Sequence, residues 1–165
     1  RQSEARRIGM RSPLSRHYAA PRIRGGRFRK RFLVANVIVV GRTQMAINLK
    51  RAYDRVGDSD GDRILVDRLW PRGISKEGLH LDARITEIAP SVHLRRWFDH
   101  NRMKWDEFKR RYFRELDAQP EAVENLLSRC RSGAVTLVFG ARDRECNHAV
   151  ALKEYLERQL QAREE

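Results

Sequence analysis

Apolar and polar positions alternate from Ile47 to Tyr53, with Ile47, Leu49, Arg51 and Tyr53 on one side and Asn48, Lys50 and Ala52 on the other. That period predicts a half-buried strand. A second strand is expected at Ile64-Leu65-Val66, a short branched run bounded by GDSDGD (Gly57 to Asp62), read as a hairpin turn, and by WPRG. It ends abruptly at the polar pair Asp67-Arg68. Residues 74 to 90 read as a loop holding one short helix, Ala83 to Ile88, capped by Asp82 and stopped by Pro90. From there the period changes to 3.6. Ser91 caps a helix whose Leu94, Trp97 and Phe98 share a face, and a second helix sets Trp105, Phe108, Tyr112 and Leu116 on one stripe. Pro120 and Gly133 bracket a third, with Val123, Leu126, Leu127 and Cys130 inward. Ala134 to Phe139 is apolar on both faces apart from Thr136, as a central strand must be, and from about Cys146 a closing helix presents Leu152, Tyr155 and Leu156.

This order predicts one α/β domain, a small, partly parallel sheet flanked by helices in a three-layer-like arrangement, over residues 45–165. The net charge of +13 points at first to nucleic acid, yet it is unevenly placed. Residues 1–44 hold 12 Lys+Arg against Glu4 alone, whereas residues 45–165 hold 23 against 21 acids. The domain is therefore nearly neutral, and the basic extension, with no sustained period, is expected to be disordered and outside it. The sharp break at Met45 fits a native start there. The competing readings of residues 1–44 are a nucleic-acid arm, an Arg-rich transit peptide and, least well, a secretory signal. The longest apolar stretch, Phe32 to Val40, is too short for a membrane span. Cys130 and Cys146 form no framework and fit a reducing, cytoplasmic setting.

In parallel sheets ligands sit beyond the carboxyl ends of the strands, which directs attention to DRLWPRG and GARDRECNH. The first loop carries Asp67, Arg68, Trp70 and Arg72, the second Arg142, Asp143, Arg144, Asn147 and His148. Two arrangements suit these residues. Arginine forks facing a helix start would bind a phosphate or carboxylate; alternatively, Asp67 would pair with Arg142 or Arg68 and pin the loops together. Trp70, held extended by Pro71, covers either the core or a ligand, with the core favoured. His148 and Asp67 are the candidates for acid-base chemistry, although no nucleophile stands beside them. Asn147 is a helix cap or loop anchor.

The strings DRILVDRLWPRGISKE, IAPSVHLRRWFDH, WDEFKRRYFREL and VTLVFGARDRECNHAVALKEYL, together spanning about Ile47 to Leu156, resemble the YeaO-like family of domain-of-unknown-function proteins. The resemblance implies a small bacterial-type cytosolic α/β domain without an established activity or cofactor. Longer relatives carry a cysteine near the strand end and a later Cys-His-Arg; here those positions read Phe139 and Asn147-His148-Ala149, so their thiol chemistry does not carry over.

A zinc site from Cys146, His148 and Asp143 lacks a fourth ligand. GDSDGD is no calcium loop, since residues 63 and 69 are Arg63 and Leu69 where glycine and glutamate are needed. No metal or cofactor is expected. The resulting expectation is a domain that binds a small anionic molecule through Arg68, Trp70, Arg72, Arg142 and Asn147, with no membrane partner. The alternative is a nucleic-acid-binding or regulatory module using the basic helices over residues 93–117, whose inward-spaced aromatics argue for an ordinary solvated face.

Overall fold

The computed structural model describes residues 46–163. Its sheet has four strands, β1 (Ile47–Arg51), β2 (Asp62–Leu65), β3 (Ala83–Arg84) and β4 (Val135–Phe139), in the order β1-β4-β2-β3. Every pairing is parallel, so the described sheet is fully rather than partly parallel. β4 is buried along its whole length, as its apolar sequence requires of a strand with neighbours on both sides.

The central position of β4 corrects the hairpin expected at GDSDGD. β1 and β2 do not pair; β4 lies between them, and residues 52–61 carry the chain back so that β2 starts beside Val135, level with Ile47. Gly61 closes that return at φ +61°, where a Cβ would lie 2.0 Å from the Ala134 carbonyl oxygen. Buried Asp60 pairs with buried Arg63, which also donates to the His80 carbonyl at 3.0 Å.

The helix expected at Ala83 to Ile88 is absent. Ala83 and Arg84 instead extend the sheet beside Ile64 and Leu65, and Asp82, far from capping a helix, accepts from the Arg63 amide at 2.8 Å. A six-residue helix gains too few internal hydrogen bonds to compete with an open sheet edge. The short helix of this region lies earlier, α1 (Lys76–Leu79), capped by the Ser75 hydroxyl.

The longer helices follow their predicted stripes. These are α2 (Val92–Phe98), α3 (Trp105–Asp117), preceded by a 3-10 turn at Arg102–Lys104, α4 (Pro120–Ser132) and α5 (His148–Gln161). All four bury residues in one cluster with Ile47, Ile64, Val66, Leu137 and Phe139. The opposite face presents Leu65 and Val138, covered by Ala52, Leu79, Trp70 and Ile74 from loops and α1. The helices thus crowd one side of the sheet, and the second layer is thin. No helix among the described residues is long and apolar enough to cross a membrane.

Candidate functional site

A fully parallel sheet brings the ends of β1, β2 and β4 to one edge, and an open cavity of about 250 Å³ lies there. One side is the loop after β2, contributing Asp67, Leu69, Trp70, Pro71 and Arg72. The floor is Gly140 and Ala141 after β4, then Asn147 and His148 at the start of α5. The third side is the α2–α3 region: Arg95, Phe98, His100 and Phe108, with Pro90 and Tyr53 completing the lining.

Asp67 joins the two strand-end loops. Its Oδ2 accepts from the Gly140 amide at 2.5 Å, and its Oδ1 stands 3.2 Å from His148 Nε2. A side chain on Gly140 would put a Cβ 3.1 Å from that carboxylate, so glycine permits the close approach. The internal ion pair of Asp67 with Arg142 or Arg68, one of the two arrangements suggested by sequence, is not formed; its carboxylate accepts from a backbone amide and faces an imidazole.

His148 is largely buried, and its Nε2 has no hydrogen-bond partner despite facing Asp67. Burial, above all, holds the imidazole below its ordinary pKa and hence neutral; Asp67 and the Val66 backbone oppose this, while Arg95 and His100 reinforce it.

The second loop is largely satisfied from within. Asp143 Oδ1 accepts from the amides of Glu145 and Cys146 at 2.9 and 3.0 Å, and its carboxylate pairs with Arg102. Those amides, followed by Arg102, pull Asp143 down to about 2. Asn147 caps α5, accepting from Ala149 and Val150 and donating to the Asp143 carbonyl. Two amides of the helix start are consequently occupied, rather than free for an anion as the sequence suggested. Burial and Asp143 raise the Cys146 thiol above its ordinary pKa, the opposite of an activated nucleophile.

Among the residues chosen from sequence, the structure brings Asp67, Trp70, Arg72, Asn147 and His148 to the cavity. Arg68 is not among its lining residues; it reaches the Ala89 carbonyl and borders a groove with Glu87 and Glu115. Arg142 is exposed and does not line the cavity, and Arg144 is held by Asp54. Trp70 packs on the second core cluster, as favoured, and also lines the cavity, and its Nε1 donates to the Ile74 carbonyl at 2.7 Å.

The positive rim comes largely from residues that periodicity assigned to ordinary helix faces. Arg95 counted only as part of a basic surface, and Phe98 and Phe108 only as core. His100 follows Asp99 in a left-handed corner, with φ of 45° and 52°, immediately after α2. The triplet Asp99-His100-Asn101, rich in types that tolerate this conformation, was the available signal. On the basic helices, Tyr112 is buried, Trp105 stacks on Phe108, and Arg110 and Arg111 pair with Glu107. Tyr112 thus belongs to the core, and Trp105 is partly buried against it.

The family profile described as "Inactive DUF488-N3 subclade" matches residues 46–165. The chain is 40% identical over 112 residues to the uncharacterised protein YeaO of Escherichia coli, covering 68% of this chain and 97% of that protein. It is 34% identical over 110 residues to uncharacterised proteins of Mycobacterium bovis and Mycobacterium tuberculosis, covering 67% of this chain and 92% of each. No solved structure matches it significantly.

Proposed function

Because the chain belongs to the YeaO-like DUF488 family, in a subclade described as inactive, we propose that it is a binding domain for a small anionic molecule, one bearing a phosphate or carboxylate, which it holds without transforming. The observation that carries this reading is the charge balance of the strand-end cavity. Arg72, Arg95 and His100 stand around it, and the single carboxylate among the described lining residues, Asp67, is engaged by Gly140. Phe98, Phe108 and Trp70 supply apolar walls that exclude water and strengthen such contacts.

The absence of chemistry has its own support. Among the described lining residues are Tyr53 and Asp67, but there is no serine, threonine, cysteine or lysine for the imidazole of His148 to activate. A cytoplasmic location belongs to the same reading, supported by two free thiols among the described residues.

Calorimetric titration of the full chain with inorganic phosphate tests the proposal. Saturable binding is expected, weakened about tenfold by Arg72→Ala or Arg95→Ala, since a charge-assisted hydrogen bond contributes about 1.5–3 kcal/mol. Absence of binding, or binding indifferent to both substitutions, contradicts it. Affinity for DNA or RNA that falls steeply with salt and survives removal of residues 1–44 would favour the basic helices instead.

A further inference from the structure

Among the large apolar side chains that stand exposed in the described region, Tyr53 at 51% and Leu69 at 61% line the strand-end cavity, whereas Val56, Val92 and Met103 do not. Scattered apolar side chains on a surface need no account. Two that converge with the partly buried Trp70 on one opening form a patch suited to being covered. Their placement is fixed from several sides. Arg51, the last residue of β1, donates from Nε to the Ala141 carbonyl at 2.8 Å, and its guanidinium carbon lies 5.1 Å from the centroid of the Tyr53 ring. The Tyr53 hydroxyl in turn donates to the Arg72 carbonyl at 3.3 Å. The ring is thereby tied both to the floor of the cavity and to the loop after β2. Trp70 is held by its bond to the Ile74 carbonyl and by the proline that follows it. Rings fixed before a ligand arrives lose little freedom when it binds. A bare phosphate has no apolar surface to set against them. The cavity, at about 250 Å³, is only a little smaller than the roughly 300–1,000 Å³ of pockets that enclose drug-sized molecules, which leaves room for an organic body.

We infer that the ligand is a small aromatic acid, whose anionic group meets Arg72 and Arg95 and whose ring lies against Tyr53, Leu69 and Trp70. This rests on the anion-binding reading and adds the body that carries the anion. Arg72 joins the two halves: it follows Trp70 by two positions, and its carbonyl receives the Tyr53 hydroxyl. Both arginines are exposed, whereas Asp67 is partly buried, so repulsion from that carboxylate keeps the anionic group toward the arginines. An aromatic body is favoured over an aliphatic one of equal size because two of the three platform side chains are rings. Packing ring on ring adds the attraction between their quadrupoles to the gain from the area covered.

The test titrates the full chain calorimetrically with methyl, cyclohexyl and phenyl phosphate, which share one anionic group, and with inorganic phosphate as reference. Phenyl phosphate is expected to bind at least about tenfold more tightly than methyl phosphate, because covering its ring removes apolar surface from water. It should exceed cyclohexyl phosphate by about threefold, the part owed to ring packing. Tyr53→Ser and Leu69→Ser should each lower the phenyl-to-methyl ratio by about threefold or more. Reading a ratio cancels any shift of Arg72 that the lost hydroxyl contact causes. Tyr53→Phe, which drops that contact and keeps the ring, should retain the wild-type ratio. Both positions are exposed, and circular dichroism establishes that each variant is folded. Equal binding of phenyl and methyl phosphate, cyclohexyl phosphate matching phenyl phosphate, or a ratio unmoved by Tyr53→Ser overturns the inference and leaves anion binding standing. Failure of all four phosphates to bind overturns both.

Discussion

His148 occupies the first position of α5, largely buried beside Asp67, with the Val66 backbone, Arg95 and His100 also acting on its charge. Because burial lowers its pKa in the folded state, the unfolded chain takes up a proton here more readily than the folded one. Stability linked to this residue is complete above the ordinary histidine value of 6.5, erodes as pH falls below it, and levels off below the folded-state value. Thermal midpoints over that range should decline more steeply for the wild type than for His148→Gln. Parallel profiles would show that burial does not govern this proton. Asp60 and Arg63 are the residue pair of opposite character, charged and fully enclosed with Thr136 donating to the Asp60 carbonyl. Replacing Asp60 with alanine strands a buried guanidinium, and about 3–5 kcal/mol of stability is expected to be lost in urea unfolding. A loss within experimental error would mean that Arg63 finds water or another acceptor.

The element most exposed to a single change is α5. Asn147 is 2% exposed, and its side chain both caps the helix and ties it to the preceding loop. Asn147→Ala should cost about 1 kcal/mol or somewhat more, measurable by urea unfolding, and should also weaken phosphate binding because the same loop carries the cavity floor. Helices α2 to α5 were readable from sequence because their buried stripes extend over seven to fourteen residues and are fixed by local spacing. β3 was not. It is two residues long and exists because β2 offers an unpaired edge, a fact held in the partner strand rather than in Ala83 and Arg84. The turn at GDSDGD misled for a related reason. Its composition specifies that the chain reverses, whereas the insertion of β4 between the flanking strands depends on a segment more than seventy residues away.

At the scale of the whole molecule, two of the cavity's three walls were legible, because a parallel sheet puts the ends of its strands together whatever their order. The third was not, since periodicity gives the inward face of α2 without giving the edge over which it lies. Arg95, Phe98 and His100 therefore entered the site only through tertiary packing. Charge divides the chain in the same way: residues 1–44, outside the described region, carry 12 basic side chains against Glu4, whereas the described lining of the cavity comes from the near-neutral remainder. β1 begins at Ile47 and Val135 donates to the Ala46 carbonyl, so a chain starting at Met45 retains every described pairing. We predict that such a chain folds and binds phosphate as the full chain does, whereas any salt-sensitive affinity for nucleic acid is lost with the extension. The measurement that bears most directly on the central claim is a phosphate titration of the full chain followed by nuclear magnetic resonance. The predicted result is saturable shifts at Arg72, Arg95, His100, Gly140 and His148. Shifts that do not saturate, or that fall on the outer face of α3 and leave these five unmoved, would contradict it.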